Sequence, residues 1–146
     1  MIKFGAINID TSHPKSFSQY FETVEERGKY VAVYNDGFRG DDELLSFAEK
    51  RGLKICKTKQ GYHACTTLAL TKNSAITADE GIKKALTAEG IDVTLIENGD
   101  ISLPPYEYGF IGGASFFDNN TLFTFGDVKK HKNGNDRIIS VFVCFI

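Results

Sequence analysis

Cys65 is the residue best suited to covalent chemistry in this sequence. A cysteine thiolate is a strong nucleophile, and a neighbouring histidine favours the thiolate form. His63 stands two residues earlier, in Gly61-Tyr62-His63-Ala64-Cys65. On a strand, that spacing would place both side chains on one face. A plainer alternative has Cys65 opening a buried strand as a small apolar residue, with His63 exposed on a turn. Asp79 and Glu80 could hold a cation, or they could serve the first turn of a helix, where carboxylates meet the positive end of the dipole. His131 lies in a polar stretch and reads as solvated. The run Gly109-Phe110-Ile111-Gly112-Gly113-Ala114-Ser115 is glycine-rich but lacks the Gly-Lys-Ser/Thr ending of a phosphate loop. Its glycines fit a bulge or close backbone packing better.

Asp36 ends an apolar segment, near where a Rossmann unit keeps its ribose-binding acid. The Gly-x-Gly-x-x-Gly turn that such a unit needs is replaced by Asn8-Ile9-Asp10-Thr11-Ser12-His13. NAD is therefore not expected at Asp36, and no other cofactor or metal is implied. The cysteines Cys56, Cys65 and Cys144 are odd in number and widely spaced, with no CxxC. Neither a disulfide framework nor a structural zinc site is expected.

These residues need a scaffold, and the composition supports one. The chain has 146 residues, 42% of them apolar, which fits a single compact globular unit. Its 17 basic and 19 acidic residues give a formal net charge of −2. No basic excess exists to hold a phosphate backbone, so nucleic acid is not an expected partner. Residues 1–10 include Lys3 and Asp10 and do not read as a signal peptide. No apolar run is long enough to span a membrane, and the cytoplasm is the expected compartment.

Along the chain, 2–9 and 30–34 read as buried strands, with a helix between them on Phe17, Tyr20, Phe21 and Val24. A second helix begins at Asp41-Asp42-Glu43 and ends at Lys50-Arg51-Gly52, its charges matched to the dipole. A third strand covers 53–56. Residues 1–56 thus predict a Rossmann-like β-α-β-α-β segment with a parallel sheet. The order then changes to β-β-α-β. Strands are expected over 65–71 and 74–78, a helix capped by Thr77 with Glu80 as a capping box, and a returning strand over 91–96. Two more strands are expected over 110–117 and 122–125. The run from Ile138 to Ile146 reads as a central strand or a sticky end.

Two resemblances follow from these residues. Lys59-Gln60-Gly61-Tyr62-x-x-Cys65, Ser74-Ala75-Ile76-Thr77-Ala78-Asp79-Glu80-Gly81-Ile82, Gly90-Ile91-Asp92-Val93, Tyr106 to Ser115, Gly126-Asp127 and His131 resemble an uncharacterised bacterial family of the guanidino-group-modifying enzyme fold, the pentein β/α-propeller. Ile2 to about Gly52 resembles instead the first β-α-β-α of a Gfo/Idh/MocA-type oxidoreductase, through Phe4 to Pro14 and Val31 to Glu43. The pentein resemblance implies an incomplete propeller over 57–146 and a small guanidino or amidino compound as ligand. It also implies Cys65 as nucleophile with His63 beside it, and Glu107, Asp127, Gly112 and Gly113 around the substrate. The other resemblance implies a partial dinucleotide-binding unit with Asp36 at the cofactor. A third expectation is a non-catalytic α/β domain that forms a homo-oligomer through exposed strand edges.

Overall fold

The computed structural model describes residues 3–5, 30–35, 42–50, 52–71, 73–118 and 120–143. The chain is mixed α/β, built from small sheets with no closed barrel or propeller among the described residues. Strands β1 (Lys3–Gly5), β2 (Tyr30–Asn35) and β3 (Lys54–Thr58) form a parallel sheet in the order β1-β2-β3. Helix α1 (Asp42–Lys50) precedes β3. Ala48 and Leu53 are buried where helix and strand meet. The helix expected between β1 and β2, and Asp36, lie outside the described residues.

A helical turn, α2 (His63–Thr66), leads directly into β4 (Thr67–Thr71). Strand β5 (Ser74–Thr77), helix α3 (Glu80–Ala88) and strand β6 (Asp92–Leu95) follow. The second sheet runs β4-β5-β6, with β4 antiparallel and β6 parallel to β5. A second helical turn, α4 (Ile111–Ala114), leads into the hairpin β7 (Ser115–Asp118) and β8 (Thr121–Thr124). The unit of α2, β4 and β5 therefore repeats as α4, β7 and β8. The position of Cys65 in the first copy corresponds to Gly113 in the second, and Asp79 corresponds to Asp127.

Helix α3 forms where the apolar spacing demands it. Ile82 and Leu86 sit on one face and are fully buried with Cys56, Ile91 and Val93. Gly90 takes φ 81°, and the Ile91 N–H reaches back to the Leu86 carbonyl at 3.1 Å, a C-terminal cap that a side chain would oppose. The N-terminal cap differs from expectation. Asp79, not Thr77, caps the helix, its Oδ1 accepting the Ile82 N–H at 2.7 Å. Thr77 closes the buried strand β5, and its hydroxyl is occupied donating to the Thr66 carbonyl at 2.9 Å.

Three expected strands also change. Cys65 and Thr66 belong to α2, so the strand begins at Thr67, and Ile111–Ala114 likewise turns before β7 starts. The run beginning at Ile138 is helical through Val143: a π-helix (Gly134–Ile139) continues into α5 (Ser140–Val143). The Asn133 carbonyl accepts both the Arg137 and Ile138 N–H groups. Ile138 and Val141, one helical turn apart, pack into the second core with Leu68, Leu70, Ile76, Ile96 and Ile111. Residues 144–146 lie outside the described residues. No helix among the described residues is long and apolar enough to cross a membrane.

Gly112 joins the two helical turns. A Cβ there would lie 2.2 Å from the Ala64 carbonyl oxygen, 2.5 Å from that of Thr67 and 2.9 Å from that of Cys65. All three are backbone atoms and cannot swing aside. Gly112→Ala is expected to destabilise the fold by about 3 kcal/mol. Gly113→Ala, with open space around its Cβ, should stay within about 0.5 kcal/mol of the parent. Urea unfolding of the two variants checks this, and equal midpoints would refute the close-contact account.

Candidate functional site

The turn α2 is held from several sides. The Thr66 N–H and hydroxyl both donate to the Tyr62 carbonyl, at 2.9 and 2.8 Å. Gln60 Oε1 accepts the N–H groups of Gly61 and Tyr62, at 2.8 and 3.0 Å. The Gln60 amide also donates to Asp79 Oδ2 at 3.0 Å, which ties the turn to the cap of α3. His63 is buried, and its Nε2 lies 2.5 Å from the Thr58 hydroxyl oxygen. It is therefore not the exposed turn residue that the sequence also allowed. Nor does a strand place it beside Cys65, because residues i and i+2 of a helical turn do not share a face.

Cys65, half-buried on this turn, lines a cavity of about 570 Å³. That size suits a small molecule. Gly113 and Ala114 of α4 line it too, with apolar side chains such as Ile101, Phe110 and Ile138. Four charged or titratable residues line the same space: Asp100, Asp127, Lys130 and His131. Asp127 caps the short 3₁₀ turn Val128–Lys130, with Oδ1 accepting the Lys129 N–H at 3.0 Å. Asp100 Oδ2 accepts the Lys132 N–H at 2.7 Å. Each carboxylate is thus fixed through one oxygen. Lys132 also pairs with Glu97 at 2.9 Å, and hydrogen bonding to Lys132 holds the Glu97 carboxyl below the usual range.

The structure thus gathers Cys65, Asp127 and Gly113 around one cavity. Gly112 instead packs against the carbonyls of α2, and Glu107 is exposed on the preceding loop. Neither is among the residues lining the cavity, nor is His63. Sequence reasoning gave no role to Asp100 or Lys130 and read His131 as solvated, whereas His131 is buried. His131 was marked only by its place after Gly126-Asp127; its burial comes from the helical segment that follows. Nothing local marks Asp100, which the loop after β6 carries to the site. No group of three or more His, Cys, Asp or Glu among the described residues could hold a metal ion.

The described cysteines differ sharply in surroundings. Cys56 lies in the core beside α3, and burial, followed by the charge of Glu89, pushes its thiol from 9.0 up to about 11. Lys54, which forms an ion pair with Glu89, partly offsets this.

A family model described as "Family of unknown function (DUF6873)" matches residues 26–143. No curated protein and no solved structure matches the chain.

In a Cys144→Ser background at neutral pH, a small thiol reagent is expected to label Cys65 and spare Cys56 until the protein unfolds. Because the folded-state value of Cys56 is raised, its contribution to stability is complete below the ordinary thiol value. It is lost as pH climbs through that value towards about 11. Mass spectrometry of labelled peptides checks the selectivity, and equal native labelling of both cysteines would contradict it.

Proposed function

The chain belongs to that family of unknown function, and on that premise we propose that its cavity holds a small guanidino or amidino compound, with Cys65 as the nucleophile that attacks the compound's central carbon. The observation that carries this reading is the convergence of Cys65 with Asp100 and Asp127 on one cavity with apolar walls. A guanidinium is a planar cation with N–H donors on its edges, and carboxylates match that pattern in charge and geometry. Apolar walls strengthen such contacts by lowering the local dielectric. The backbone bonds at Asp100 Oδ2 and Asp127 Oδ1 leave the other oxygen of each for a ligand. A Cys65 thiolate would add to the central carbon and form a C–S bond. The C–N bond would then break, with the amine leaving on a proton from solvent, and water would displace the sulfur, breaking the C–S bond and freeing Cys65.

The resemblance to pentein propellers supports the same chemistry. The repeated turn–strand–strand units, α2-β4-β5 and α4-β7-β8, are then two of the propeller's modules.

Calorimetry with propylguanidine, benzamidine and 3-guanidinopropionate tests the reading. At least one is expected to bind, about tenfold more weakly to Asp127→Asn. Cys65→Ala should retain binding and lose any turnover of the bound compound. Failure of the whole panel to bind, or full turnover by Cys65→Ala, would sink the proposal.

A second reading, assembly with further copies of the chain, has its own observation. Phe116 and Phe123 stack across the hairpin at 4.6 Å, yet both are about half exposed, and Phe125 beside them is 82% exposed. Such a face on a two-stranded sheet favours a partner sheet. Light scattering is expected to show an oligomer that Phe123→Asp dissociates; a monomer at high concentration would exclude it.

A further inference from the structure

His131 lines the cavity, and its ring is tied down at one nitrogen. The Asn133 backbone N–H donates to its Nδ1 at 3.0 Å. That N–H cannot easily turn away. Asn133 is buried, its side-chain Oδ1 accepts the Glu97 N–H at 2.7 Å, and its carbonyl accepts the Arg137 and Ile138 N–H groups. An imidazole nitrogen that accepts an N–H carries no proton of its own. The ring proton must therefore sit on Nε2, which has no hydrogen-bond partner among the described residues.

From this geometry we infer that His131 serves the cavity as a fixed hydrogen-bond donor through Nε2, not as a proton shuttle, and that Asn133 is the positioning residue that sets it so. A shuttling histidine must hold a proton on both nitrogens in part of its cycle. Here the second proton would fall on Nδ1, where the Asn133 N–H already points. Giving up the Nε2 proton instead would leave an imidazolate. What remains is the role of a neutral imidazole that polarises an acceptor. A guanidinium offers only donors, so it cannot be the partner of Nε2–H. The occupant of the cavity must carry an acceptor oxygen as well as its cationic group. Lys130, on the same cavity, adds positive charge that favours a carboxylate. The ligand half of this inference rests on the guanidino or amidino occupancy proposed above.

Nitrogen-15 NMR of the full chain labelled at histidine rings tests it, with the His131 signals identified by their loss in His131→Gln. The expected pattern is a bare Nδ1 and a protonated Nε2, with a mixture of tautomers in Asn133→Ala. If Asn133→Ala fails to fold, the parent spectrum alone decides. Two probes follow, 3-guanidinopropionate and propylguanidine. The first is expected to move the Nε2 signal and to bind about tenfold tighter than the second, which should leave Nε2 in place. A protonated Nδ1 in the parent overturns the inference and leaves the cysteine reading standing. So does binding of both probes with Nε2 unmoved. The expected tautomer with neither probe bound overturns the guanidino occupancy, and the acceptor assignment with it.

Discussion

The contact of two backbones at Gly112 is the constraint on which the rest of the site depends. The turn α4 approaches α2 so closely that Gly112 can have no side chain, since two carbonyl oxygens of the opposing turn and that of Thr67 at the start of β4 fill the space a Cβ would need. This contact sets the separation of β4 and β7, which leave the two turns as neighbours. It also sets the distance between Cys65 and Gly113, which both line the cavity. Close-packed backbones do not deform gradually, so the spacing is rigid in a way that a side-chain contact would not be.

Polar bonds then fix what the backbone contact spaces. The Gln60 side chain carries the position of the α3 cap across to the Cys65 turn. On the other side, Asp100 and Asn133 bind the loop after β6 to the stretch that joins His131 to the helical segment. Most of these bonds run from a side chain to a backbone group, so each holds a segment of chain in place rather than a single flexible partner. Apolar packing supplies the stability and these bonds supply the alignment.

The sequence made the periodic parts legible. The strands β2 and β3, the helix α1 between them, and the helix α3 all fall where the apolar spacing and end charges put them. The short turns were not legible, because four residues of helix show no period and Cys65-Thr66 reads as the start of its strand. The run from Ile138 failed for the opposite reason. It is apolar apart from Ser140, and such a run cannot distinguish a buried helix from a buried strand. Cys65 could be named from its residue type, Gly113 and Asp127 only from the pentein resemblance. His63 could not be placed, since it sits on a short helical turn and its ring meets Thr58 at the end of β3. His131 and Asp100 could not be chosen either, because only the folded loops bring them to the cavity.

The repetition of turn and hairpin carries an evolutionary consequence. If the two units descend from one duplicated ancestor, both turns began with the same residues. Two turns that each bore a side chain at the Ala64 and Gly112 position could not have met at the present distance. Divergence was therefore a condition of the halves coming together. One copy carries a thiol where its counterpart carries glycine, and both positions line one cavity. The halves are alike in fold but have ceased to be interchangeable.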